Sequence, residues 1–142
     1  MGYATLNDLV ERFGSDEIAG LADRNGDGEP DAEVIDSIAA DVGAEIDTHL
    51  AGRYPLPLST VPLILRKLAC VLIRERLYLA SGARLDDTDP ARREAEAARK
   101  LLREIGAGRA HLPMPERNPG AGDVQIESAE TVWSRRNARG YL

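Results

Sequence analysis

The stretch Thr60–Leu79, TVPLILRKLACVLIRERLYL, restricts the possible folds more than any other part of this chain. It carries Val61, Leu63, Ile64, Leu65, Leu68, Val71, Leu72, Ile73, Leu77 and Leu79, with no glycine. Leu65, Leu68, Leu72 and Tyr78 or Leu79 recur at helical spacing, and Ile64 and Val71 widen the apolar face. Arg66, Lys67, Arg74, Glu75 and Arg76 leave part of the surface to water or to a partner. That many charges in so short a run argue against a membrane span. Ser59 is the expected N-cap, and Pro62 fits a first turn whose N–H groups have no helical partner. The stretch reads as the central helix of a small helical domain.

A chain of 142 residues is expected to form one domain. Folded compactly, it buries roughly two-thirds of its unfolded surface. Aromatic residues make up only 4% of it, so Leu, Ile, Val and Ala must fill the core. A single cysteine excludes an intrachain disulfide and fits a reducing compartment. No basic, apolar, cleavable N-terminal segment is seen, so export by that route is not expected. The net charge of −6 hides an asymmetry. Residues 1–50 hold 13 acidic and 2 basic side chains, whereas residues 51–142 hold 11 acidic and 16 basic ones. Segregated charge of this kind either aligns copies head to tail or is neutralised within one fold.

Thr5 and Asp8 form a Thr-x-x-Asp capping pattern ahead of Leu6, Leu9, Val10 and Phe13, and Gly14 is the natural stop. Ser15 is placed to cap a short second helix with Ile18, Leu21 and Ala22. The cluster Asp23–Asp31, DRNGDGEPD, is a turn with two readings. Asp23, Asn25 and Asp27 stand at alternate positions before Gly28, as in the opening of a calcium loop, and Asp31 falls at its ninth position. The pattern fails at its twelfth position, where Val34 replaces the bidentate Glu. The other reading is an acidic turn whose Asp31 caps the next helix.

That third helix is expected from Ala32 to about Gly52, with Val34, Ile38, Val42, Ile46 and Leu50 in steps of four. Asp36, Asp41, Glu45 and Asp47 lie largely off this stripe, and His49 reads as a half-buried packing residue. Arg53–Leu58, with Pro55 and Pro57, is a stiff connector. Asp89 as N-cap and Pro90 at the first position open the last helix. Its narrow face of Ala91, Ala95, Ala98, Leu102 and Ile105 suggests a peripheral, solvated element, stopped by Gly106 and Gly108.

The character changes at Arg109. Residues 109–123 hold three prolines and two glycines with no sustained periodicity and read as a linker. Val124-Gln125-Ile126 alternates briefly, as an edge or donated strand would. Beyond it come Trp133, Arg135, Arg136, Arg139 and Tyr141, residue types that dominate interface hot spots. The division is thus a helical domain over 1–108 and a linker with a C-terminal arm over 109–142. Val124, Ile126, Trp133, Arg135, Arg136, Arg139 and Tyr141 are the candidate interface residues. The fold class is all-α, a small bundle of four to five helices with an extended arm. No nucleophile–base pair, zinc spacing or phosphate-cradling glycine loop is present, so no enzyme is expected. Cys70 sits mid-helix as a structural residue. A DNA-binding regulator is conceivable, but the basic residues are spread over several elements.

Several segments together resemble the phage-Mu-type head–tail connector family of Mu-like prophages. They are Tyr3-Ala4-Thr5-Leu6 with Arg12-Phe13-Gly14, the Asp23–Gly28 turn, Leu50–Leu58 with Val61-Pro62, and Trp133-Ser134-Arg135-Arg136 with Arg139-Gly140-Tyr141. Trp133 and Tyr141 depart from the family pattern, where Phe is expected. The resemblance implies a structural virion protein of the neck, assembled in the bacterial host cytoplasm. Its expected partners are its own copies in a ring, about twelvefold on the portal, the portal protein, and a tail-completion or stopper protein. DNA would pass through the lumen without specific binding, and no membrane is involved. No cofactor is implied. The rival from the residues themselves is a calcium-binding helical protein using Asp23, Asn25, Asp27 and Asp31.

Overall fold

A computed structural model of the chain describes residues 2–117, which form five helices and no strand among them: α1 (Leu6–Phe13), α2 (Ser15–Ala22), α3 (Ala32–Leu50), α4 (Leu63–Ala80) and α5 (Pro90–Gly106). The fold is therefore the expected all-α bundle. Helices α3, α4 and α5 pack against one another, and α1 and α2 pack against α4. Leu9, Ile18, Val42, Ile46, Leu65, Leu72 and Leu102 are fully buried, so all five helices feed one core. Burying a large apolar side chain is worth about 1.5–3 kcal/mol, which is why α4, with eight buried apolar residues beside the buried Glu75, is the spine.

The local signals act largely as the residues dictate. Thr5 Oγ1 accepts the Asp8 N–H at 3.2 Å, and the Asp8 carboxylate accepts the Thr5 N–H at 2.7 Å, a complete capping box. Gly14, at φ 93°, turns the chain directly into α2. Ser15 consequently becomes the first helical residue and caps nothing. Asp31 precedes α3, but its carboxylate turns back to the loop instead of capping the helix.

Two further expectations are corrected. The central helix begins at Leu63, with Pro62 in the extended N-cap position (φ −60°, ψ 148°), so Ser59 lies outside it. Nor is α5 peripheral. Its alanines bring it close enough to bury Ala91, Ala95, Ala98, Leu102 and Ile105, and it touches α3 as well as α4. Where α5 ends, a Cβ on Gly106 would stand 2.7 Å from the His49 carbonyl oxygen of α3.

The connector between α3 and α4 holds Tyr54 and Leu58 in the core, and its Leu56–Pro57 peptide is cis. The beginning of the segment read as a linker, residues 109–117, lies against the bundle. Leu112 is buried and donates its N–H to the Tyr54 hydroxyl at 2.9 Å. Glu116 pairs with Arg53 at 2.9 Å, and Arg117 Nη1 donates to the Ala51 carbonyl at 3.2 Å.

Candidate functional site

No helix of the described residues is long and apolar enough to cross a membrane. Cys70 is fully buried, and burial pushes its thiol up despite the neighbouring Arg12. The surface features that stand out are charge and shape.

The acidic loop is a built turn. Asp23 accepts N–H groups from Gly26 at 2.7 Å and Gly28 at 2.8 Å, and those bonds, the one from Gly28 foremost, hold its carboxyl below the usual range. Asn25 accepts from the Asp27 N–H, and Asp27 from the Glu29 N–H. Asp31 accepts from the Arg24 N–H at 2.6 Å and from the Asn25 side chain at 3.0 Å. The four residues singled out for calcium thus share one loop, and their oxygens serve its own backbone and side chains. Among the described residues no group of three or more His, Cys, Asp or Glu side chains is placed to hold a metal ion.

From this loop into α3, Asp27, Glu29, Glu33, Asp36 and Asp41 are exposed, and among the described residues none of them is in an ion pair. On α5 the exposed basic residues Arg93, Lys100 and Arg103 follow helical spacing and line an open depression with Asp87 and Glu96. The exposed charge of α3 is thus acidic, with no Lys or Arg on that helix, whereas the basic row of α5 stands beside the exposed acids Glu94 and Glu96.

Two arginine centres fix these helices in place. Glu45 of α3 accepts from Arg76 of α4 and from Arg99 of α5, each at 2.7 Å. Arg99 also pairs at 2.9 Å with Glu75, a buried acid on α4 that is 7% exposed. Burial works to raise the Glu45 carboxyl, but the two guanidiniums outweigh it and hold it below its ordinary value. Arg74 makes a bidentate pair with Glu17 of α2, at 2.6 and 3.0 Å, and lies over the Phe13 ring of α1 at 4.6 Å. Sequence reading placed Arg74, Glu75 and Arg76 on the accessible side of α4. The overlooked signal was an acid and two arginines interrupting an otherwise apolar helix, a pattern that needs partners when buried.

Apolar surface is exposed in two places on α4, at Leu63 near its start (71% exposed) and Leu79 near its end (51%). Val124, Ile126, Trp133, Arg135, Arg136, Arg139 and Tyr141 lie outside the described residues.

The protein is similar to the Mu-like prophage FluMu protein gp36 of Haemophilus influenzae, 28% identical over 151 residues that cover 99% of this chain and 98% of that protein. It is also similar to gene product J of Escherichia phage Mu, 29% identical over 147 residues that cover both chains in full. The profile of the family described as Bacteriophage Mu, Gp36 matches residues 3–128, from the buried Tyr3 through all five helices, and the chain belongs to that family.

Proposed function

We propose that this chain is a structural head–tail connector subunit of a Mu-like phage, forming a ring between the portal and the tail-completion proteins. The observation that carries the reading is the acidic exposed surface of α3 and the row of exposed bases Arg93, Lys100 and Arg103 on α5, on a body locked by internal ion pairs. A ring grows by heterologous contact, in which one face of each copy meets a different face of the next. Complementary charge on two faces orients such contacts and suppresses like-on-like pairing. Exposed Leu63 and Leu79 supply apolar contact where charge has set the register. Membership of the Mu Gp36 family supports a phage role. In this reading the segment from Val124 to Tyr141 reaches the neighbouring copy or the portal, and acids facing the lumen keep DNA from adhering.

The test is co-sedimentation of the purified chain with portal rings from the same genome, followed by particle imaging. A saturable extra layer with the portal's symmetry is the expected result. Absence of binding to portals that still accept other neck proteins would remove the connector role.

A further inference from the structure

Residues 108–117 leave α5 and fold back over the connector between α3 and α4, where two adjacent connector residues hold them. Arg53 holds both ends of the segment. Its guanidinium carbon lies 2.6 Å from where a Cβ on Gly108 would stand, and Gly108 turns the chain there with φ 83°. At the other end Glu116 pairs with Arg53 Nη2 at 2.9 Å, and the Arg117 N–H donates to the Arg53 carbonyl. Tyr54 holds the middle, its hydroxyl accepting the N–H of the buried Leu112. His111 Nδ1 lies 2.6 Å from Glu116 Oε1, so the segment also closes on itself. A short stretch with its ends together and its own side chains packed inside is an Ω-loop.

The hold of this loop on the bundle is lighter than that of the helices on one another. Leu112 is the one buried side chain among residues 109–117, whereas α4 alone buries eight apolar residues. The pair of Arg53 with Glu116 is open to water, at 31% and 33% exposure, and such pairs add little stability. Segments with few buried apolar contacts open at lower cost than the whole fold.

We propose that residues 108–117 are a strap that opens and closes as one unit on the folded bundle, with Arg53 as its clasp, and that it sets the reach of the chain that follows. Closed, it fixes Arg117 at the Ala51 carbonyl, where α3 ends. That point lies about 28 Å along α3 from the acidic loop. Open, the tether begins at Gly108, and residues 109–117 add up to about 30 Å of extended chain. The helices stay in place in both states. Use of that reach in assembly rests on the connector reading, but the opening is measured on the free subunit, so the two fail separately.

The experiment is amide hydrogen exchange on the full chain, on Arg53→Ala and on Glu116→Ala. In the parent the Leu112 and Arg117 amides are expected to share one protection factor, at least about tenfold below that of Leu72 at the centre of α4. Arg53→Ala should speed exchange at Leu112, to which Arg53 makes no hydrogen bond, by about tenfold and leave Leu72 unchanged. Glu116→Ala, at an exposed position that the fold does not need, should speed Leu112 by about threefold. Faster exchange at Arg117 alone would show separate contacts and no common unit. Leu112 exchanging in step with Leu72 would show that the strap opens only when the bundle unfolds. Either result, or exchange at Leu112 indifferent to both substitutions, overturns the proposal.

Discussion

Glu45 accepts hydrogen bonds from guanidiniums on two other helices, so one carboxylate ties α3, α4 and α5 together. Its folded pKa is held below the ordinary value, against burial, by Arg99 and Arg76. The native state therefore binds fewer protons at this site than the unfolded chain, whose Glu titrates near about 4.3. The stabilisation is fully present above that pH and is lost as pH falls through the lower folded value. Glu45→Gln should cost about 2 kcal/mol near neutral pH, the usual worth of hydrogen bonds to a charged group. Urea unfolding of both proteins across pH should show the gap narrowing below about pH 4; a gap independent of pH would mean that shape rather than charge holds the site. The sequence marks Glu45 only as lying off the apolar stripe of α3. Its role depends on which residues of α4 and α5 arrive opposite it, and no periodicity within one helix carries that information. The Thr5–Asp8 box, in contrast, was legible because both partners lie within one turn.

At the scale of the element, α5 shows why a narrow alanine face misleads. Its small buried residues were read as a weak apolar stripe on a solvated helix, yet they permit closer approach to α3 and α4 than leucines would. The sharpest instance is Gly106. In an open helix Gly→Ala gains about 1 kcal/mol of propensity. Here the new Cβ would stand 2.7 Å from a backbone oxygen of α3, which cannot rotate away. Gly106→Ala is therefore expected to destabilise by about 1–3 kcal/mol, the range for overfilled cores, and thermal unfolding gives the sign directly. The segment after α5 poses a related question. Its prolines and glycines describe a linker, whereas Leu112 and the Tyr54 hydroxyl pin its beginning to the connector before α4. Tyr54→Phe leaves the buried Leu112 N–H without its acceptor, at a cost of about 1–2 kcal/mol. Hydrogen exchange should quicken at Leu112 while the amides at the centre of α4 keep their order of protection. Unchanged exchange at Leu112 would show that the strap is held by other contacts.

For the whole molecule, the decisive property is that the exposed charge of α3, including Glu33 and Asp36, is acidic, whereas α5 presents a basic row that includes Arg93 and Arg103 beside the exposed acids Glu94 and Glu96. The sequence registers this as opposite net charge in its two halves, but the fold decides how much survives at the surface. Glu17 and Glu45 are consumed inside by arginines from the other half, and Glu75 by Arg99 of its own half. What remains can be tested by exchange of charge. Glu33→Lys with Asp36→Lys, or Arg93→Glu with Arg103→Glu, should each reduce co-sedimentation on portal rings, because one face of every copy then repels the next. These side chains are exposed, so unfolding free energies should stay within about 0.5 kcal/mol of the parent. The chain carrying all four changes separates the explanations. If copies meet α3 side to α5 side, every contact is reversed on both partners and layering on the portal returns. If the charges act only on the portal's own fixed surface, two reversals compound and binding falls further. Raising the salt concentration should weaken layering by the parent and the fourfold variant alike, since exposed charges beyond about 10 Å are screened at 0.1 M ionic strength. A fourfold variant that layers no better than the worse pair would dismiss charge-directed contact between copies and leave Leu63 and Leu79 as the surfaces to alter next.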